Sequence, residues 1–424
     1  MPLSRLIVLV TTLLLAAPAA AELKGHGGPV RALAVLNDGI TAISGSFDQS
    51  AIVWDLGSGD ARTVLRFHEG AVNAVLALPG NRFATAGEDG RIAIWTTGQE
   101  EPLSVALAHK GPIAGLALSP DGREIASASW DGTARVASLS GSDARLLEGH
   151  GGQVNAVAFL PDGRAVTAGY DGTVRIWPAG QGAPTIRTLP SPLNTLAVAP
   201  DGEILTGGAD GVLRILGADG ELRTERDLQT GPILAIAIAP GGDRAAVALV
   251  RGAVALVDRR TGETAGRLVG PGLPVWSIAY AAGGAEILTG GSDRLVRRWN
   301  ARTGEHIGAV VMVRPPELNA VAGTERGAEV FRACAACHTL TRDGGNRAGP
   351  TLHGVFGRRI ATLPGYNFSP ALKQLDITWG AETISRLFEV GPARYTPGTK
   401  MPEQIVSAED RAALIAYLET ATKP

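Results

Sequence analysis

The stretch Thr85-Ala86-Gly87-Glu88-Asp89-Gly90-Arg91-Ile92-Ala93-Ile94-Trp95 decides the fold of most of this chain, because its pattern recurs. A hydroxyl stands four residues before an aspartate, and a tryptophan six residues after it. Asp-Gly marks a tight turn, and Arg91 to Trp95 alternates like a strand. The tryptophan position returns at Trp54, Trp95, Ala137, Trp177, Leu216, Val257 and Trp299, a spacing of 39 to 42 residues. The aspartate returns at Asp48, Asp89, Asp131, Asp171, Asp210 and Asp293, with Arg251 in the sixth unit. The hydroxyl is Ser44, Thr85, Ser127, Thr167, Thr206 or Thr289, and four units open with His26, His68, His109 or His150. Further alternating segments such as Val72 to Leu78 are parted by turns like Pro120-Asp121-Gly122 and Pro161-Asp162-Gly163.

Histidine, hydroxyl, aspartate and tryptophan in one unit invite a catalytic reading. Recurrence argues for structure instead: chemistry needs such a set once, whereas a network that braces a turn is needed in every unit. One small twisted sheet cannot bury both faces, but a closed ring of sheets stacks each on its neighbour and protects the edges. Seven units fit a closed ring. The spacing resembles the WD40 family, which implies an all-β seven-bladed propeller over residues 22–311 with the repeated residues bracing its turns. Units five to seven lack the histidine, and the sixth has lost hydroxyl, aspartate and tryptophan together (Val247, Arg251, Val257). The sixth blade is therefore expected to be held by apolar packing and to fray first. The outer strand of the last blade is either a segment near Glu22 to Lys24 or His306 to Val311.

The remaining composition sets bounds. With 39 basic and 41 acidic residues scattered along the chain, a nucleic-acid partner is not expected. Arg5, the apolar run Leu6 to Leu15 and the small residues Ala19-Ala20-Ala21 read as a secretory signal peptide over residues 1–21. The run is shorter than the ~20 residues that span a bilayer, so cleavage and a periplasmic location are expected, with no integral membrane segment left.

After a linker at 312–322 that holds Pro315-Pro316, the pattern turns helical over residues 323–424. Thr324 is placed to cap a helix beginning Glu325-Arg326-Gly327, a second is expected from Ala381 to Val390, and a third from an N-cap at Ser407 through Leu418. The loop-rich middle is poorly suited to a core of its own, so a domain of this size needs something large and apolar to wrap. Both cysteines of the chain lie in Cys334-Ala335-Ala336-Cys337-His338. Such a CxxCH run attaches a haem, its thiols adding to the vinyl groups with the histidine beside the iron; a CxxC alone also suits a dithiol pair or half a zinc site.

Further motifs follow in order: Gly327-x-x-x-Phe331, Gly349-Pro350-Thr351-Leu352-His353-Gly354, Ile377-Thr378-Trp379, Tyr395-x-Pro397-Gly398-Thr399-Lys400-Met401 and Leu414-Ile415-Ala416-Tyr417-Leu418. Together they resemble a class I cytochrome c, a small all-α fold. The resemblance implies one covalent haem c per chain, thioether bonds from Cys334 and Cys337, and iron ligated by His338 and Met401. It also implies a hydrogen bond from His338 to the carbonyl of Pro350, Trp379 beside a propionate, and Tyr395 near the Met401 sulfur. His353 lies in the Pro350 loop and is read as a loop residue rather than a second histidine ligand. Twelve basic and ten acidic residues over 323–424 depart from the dense lysine ring of mitochondrial members, though Arg347, Arg358, Arg359, Arg394 and Lys400 are candidates for a local positive rim.

Iron ligated on both sides has no open position for a substrate. The expected function is one-electron transfer, with a redox protein docking on the haem edge and the propeller, rather than turnover of a substrate. The alternatives are a redox or gas sensor or scaffold, or a subunit of an oxidoreductase with activity at the propeller.

Overall fold

A computed structural model describes residues 22–424 except 141–143, 230, 308–324, 332–333, 335–337, 343–348, 365, 367, 369, 398, 400, 402–405 and 424. The leader, the linker, the Thr324 cap, Cys337, Arg347 and Lys400 therefore lie outside the described residues.

Seven four-stranded antiparallel sheets follow one another along the chain. The first blade is built from β2 (Val30–Val35), β3 (Thr41–Ser46), β4 (Ala51–Asp55) and β5 (Ala61–Leu65), each pairing with the next. Apolar clusters join neighbouring blades. Leu23, Val30, Trp54, Leu288 and Val296 form one that binds the seventh blade to the first and closes the ring.

Both sequence candidates for the closing strand contribute. β1 (Glu22–Lys24) pairs antiparallel with Leu295–Asn300, placing Glu22 opposite Arg297, and His306 forms an isolated bridge to Trp299 in the same strand. Residues 308–311 lie outside the described set. The closure also carries charge: the buried Arg297 guanidinium binds both Glu22 and Asp293.

The repeated residues form a relay in each histidine-bearing blade. In the second, the Trp95 indole N–H donates to Thr85 Oγ1 at 2.9 Å, His68 Nε2 lies 2.8 Å from the same hydroxyl, and Nδ1 lies 3.0 Å from Asp89. With the proton on Nδ1, the hydroxyl donates to Nε2 and the ring to the carboxylate, so every buried polar atom is used. The first and fourth blades repeat the pattern, and the third does so without a tryptophan. Where the histidine is missing, an arginine four residues after the aspartate serves: Arg214 binds Asp210 and Arg297 binds Asp293, each at 2.7 Å.

Burial pushes the Asp48 carboxyl up, but hydrogen bonds from His26 and Ser50, with the nearby imidazole, outweigh it and hold the pKa at about 2 against 3.8. A lowered folded pKa supplies stability above pH ~4 that is lost as pH falls toward 2. Asp48→Asn is thus expected to remove about 2 kcal/mol at neutral pH. Acid melts followed by circular dichroism should show a smaller fall between pH ~4 and ~2 for the variant; parallel curves would refute the assignment.

The sixth blade is complete at Ile233–Ile238, Arg244–Leu249, Ala253–Asp258 and Thr264–Val269, with Val247, Leu249 and Val257 fully buried. Apolar packing alone holds the place where other blades have a polar relay. Its amides are expected to exchange faster than those of the other six blades, and uniform protection around the ring would show that the relays add no local stability.

The C-terminal domain consists of α1 (Glu325–Phe331), α2 (Pro370–Lys373), α3 (Ala381–Val390), α4 (Pro392–Tyr395) and α5 (Ala408–Ala421). Ser407 caps α5 by accepting from the Asp410 amide at 3.1 Å. The single-turn helices α2 and α4, absent from the sequence reading, each open on a proline, whose fixed φ suits a first helical position. α1 and α5 cross at Gly327, where a Cβ would sit 2.1 Å from the Ala413 carbonyl oxygen. Phe331, Leu387, Phe388, Leu414 and Tyr417 pack around this crossing. Among the described residues, no helix is long and apolar enough to cross a membrane.

Candidate functional site

The helices leave a cleft of about 360 Å³ between α1, α3, α5 and the loops that join them. Its walls are apolar, with Phe331, Leu352, Leu387, Phe388 and Leu414 among them. Cys334, His338, Pro350, Trp379 and Met401 line the same cleft.

Cys334 is buried and its carbonyl accepts from the His338 amide at 2.9 Å, so one turn links the two side chains. His338 Nδ1 donates to the Pro350 carbonyl at 2.8 Å. That bond sets the ring's orientation and tautomer and makes Nε2 the nitrogen for a metal. The loop can lie this close because residue 349 is glycine: a Cβ there would be 2.3 Å from the imidazole Cε1. Cys337 lies outside the described residues.

The methionine loop is anchored on α4. Thr396, buried in the cleft wall, donates its hydroxyl to the Pro392 carbonyl at 2.8 Å, and the Met401 amide donates to Thr399 Oγ1 at 3.2 Å. The half-buried Met401 side chain packs on the apolar cluster of the domain. Tyr395 belongs to the same cluster, with the Arg386 guanidinium 6.0 Å from its ring centre; among the described residues, no hydrogen bond joins its hydroxyl to the Met401 sulfur. Trp379 pairs its backbone with Arg358, donating to the Arg358 carbonyl at 2.9 Å, and puts its indole in the cleft. His353 does not line the cleft among the described residues; its carbonyl accepts from Arg358 at 3.1 Å.

Arg358, read from sequence as a rim residue, lines the cleft instead. Its guanidinium donates to the carbonyls of Thr351 at 2.9 Å and His353 at 3.1 Å, and burial pulls its pKa down. No carboxylate pairs with it among the described residues. A cation so placed suits an anionic group inside the cleft. Arg359 also borders the cleft but is exposed, with Asp376 3.4 Å away. The side-by-side arginines hid this difference, because nothing in Arg358-Arg359 says which one turns inward.

Sequence reasoning also passed over the residue before each turn aspartate. On the first four blades it is Phe47, Glu88, Trp130 and Tyr170, then Ala209, Val250 and Ser292. Phe47 and Glu88, with Gln49 and Ala71, line the outer side of the cleft.

The donor set fits a haem. The cleft has broad apolar walls on which a porphyrin would pack, a thiol and an imidazole stand one turn apart, and a cation, Arg358, and an indole, Trp379, line the same cleft, residue types that suit acidic side groups. Comparison with known proteins agrees. The family model described as Cytochrome c matches residues 324–422, and that of the WD domain, G-beta repeat, matches 19–55, 59–96, 100–137, 141–178, 184–215 and 262–300. The sixth blade is the one without a match of its own. The cytochrome c of Gibberella zeae is 45% identical over 101 residues, 23% of this chain and 94% of that protein. The cytochrome c of Arabidopsis thaliana is 43% identical over 101 residues, 23% of this chain and 89% of that protein. That of Sesamum indicum is 42% identical over 98 residues, 23% and 87% respectively.

Proposed function

Because the chain belongs to the cytochrome c family through its C-terminal domain and to the WD40 family through its propeller, we propose that it is a periplasmic one-electron carrier whose propeller docks a redox partner. The observation that carries this reading is the pair of cleft residues His338, oriented by the Pro350 carbonyl, and Met401, held by a loop fixed on α4.

Bound covalently through Cys334 and Cys337, a single haem c supplies an Fe(III)/Fe(II) couple. The chain's own residues do the rest. His338 Nε2 and the Met401 thioether hold the metal, the soft sulfur favouring the reduced state. Both are tied to short loops braced by hydrogen bonds, so a change of one charge needs little movement of the protein. The apolar wall keeps water away, while Arg358 and Trp379 offer positive charge and a donor to the acidic edge. Residues 1–21 supply the export signal that this chemistry requires, since such haems are attached after export.

A redox titration of the mature protein, purified from a host that matures c-type haems, tests the reading. One haem per chain, low-spin in both states and slow to bind carbon monoxide, is expected. A reduced iron that takes up carbon monoxide rapidly would overturn it in favour of a sensor.

A further inference from the structure

The haem cleft is not walled by its own domain alone. Phe47, Gln49, Ala71 and Glu88, all on turns or strand ends of the first two blades, line it together with Arg358, Arg359 and Met401. Phe47 is half-buried there, whereas Trp130 and Tyr170, at the same turn position on the third and fourth blades, are 37% and 57% exposed. The four residues are held in place before anything docks. The Phe47 amide donates to the Pro29 carbonyl at 3.1 Å, and the Glu88 carboxylate accepts from the Ala71 amide at 3.2 Å. They offer an apolar centre with one acid beside it, and the cleft mouth offers an apolar edge with Arg358 and Arg359.

Gln49 contributes a buried side chain to the same place. The second to sixth blades place Gly90, Gly132, Gly172, Gly211 and Gly252 at this turn position, all with positive φ. The first blade keeps glutamine at φ +71°, a conformation that disfavours a side chain, and buries it to 7% exposure. The seventh blade also keeps a side chain here, Arg294 at φ +68°, which does not line the cleft among the described residues, so what sets Gln49 apart is its burial at the cleft.

We propose that the turns of the first two blades are a seat for the haem mouth of the same chain, so that the cytochrome domain rests docked with its redox edge covered and exchanges electrons from an undocked state. Burial favours this occupant, since Phe47 and Gln49 are covered at the cleft while Trp130 and Tyr170 at the matching turns are exposed. Residues 308–324 span at most about 60 Å, a reach that would let the domain leave its seat and still confine it nearby. The inference rests on the haem reading above for its redox consequence, while the docking itself is separate from it.

The test compares the purified holoprotein with a Phe47→Asp/Glu88→Arg double variant and with Trp130→Asp, which alters the same turn position away from the cleft. Small-angle scattering should give a larger radius of gyration for the double variant and an unchanged one for Trp130→Asp. Oxidation of the reduced protein by the bulky outer-sphere reagent tris(phenanthroline)cobalt(III), one electron passing from Fe(II) to Co(III), should be about tenfold faster in the double variant, the effect of losing one half-buried aromatic contact on a two-state equilibrium. Equal radii and rates in all three proteins, or equal changes in both variants, would overturn the proposal. If the double variant does not fold, Gln49→Gly decides alone, since five other turns carry that residue. A chain that takes up no haem would refute the carrier reading, and scattering would still judge the docking.

Discussion

Met401→Ala is expected to lower the reduction potential by roughly a few tenths of a volt, within the ~0.8 V that axial ligands span, while leaving the haem covalently attached. The thioether is a soft ligand that favours ferrous iron, and its replacement by a methyl group leaves one face to water or an added ligand. Neighbours will not substitute for it. Thr396 is committed to the Pro392 carbonyl, Thr399 receives the Met401 amide, and beyond His338 the described cleft residues include no other imidazole and no second thioether. Spectroelectrochemistry of the variant, with imidazole or carbon monoxide added afterwards, reads both effects. An unmoved potential would show that Met401 does not ligate the metal.

Gly327→Val should cost the C-terminal domain about 3 kcal/mol or more and leave the propeller untouched. The added Cβ meets the Ala413 carbonyl oxygen at 2.1 Å and Tyr417 Cβ at 2.5 Å, both on α5, so α1 and α5 must separate. Separation also pulls Phe331 from Tyr417, whose ring centres are 5.8 Å apart. Calorimetry read beside circular dichroism in the haem band should show the domain's own transition falling while the propeller's stays. If the two fall together, they melt as one unit.

Most of the architecture was legible because its signals are local and repeated. A turn aspartate, a hydroxyl and a tryptophan at fixed spacing describe a blade whether or not its neighbours are known. The haem domain announced itself through short motifs in sequence order, and α3 and the Ser407 cap of α5 lie where periodicity places them. What stayed hidden depends on contacts between distant segments. The edge of the last blade accepts any strand, so Glu22–Lys24 and His306 competed on equal terms and in fact share it. Arg214 and Arg297 stand in for missing histidines only because strand pairing turns them toward their aspartates. Arg358 faces inward because two carbonyls happen to converge on it, a matter of loop path. The row Phe47, Glu88, Trp130 and Tyr170 was visible in the repeat alignment, but its meaning needed the shared cleft.

The salt bridge between Glu22 and Arg297 joins residues 275 apart in sequence, and that separation sets an order of events. The first strand to be made must wait, unpaired, until the last blade exists. Closing so long a loop costs entropy that grows only slowly with length, but the rewards of closure arrive late, so the ring should be assembled from inner blades outward and locked last. Until then both rims of the unfinished ring offer bare strand edges to other chains. The hazard window is the interval between the emergence of residue 22 and that of residue 300, and the latch of β1 is what ends it.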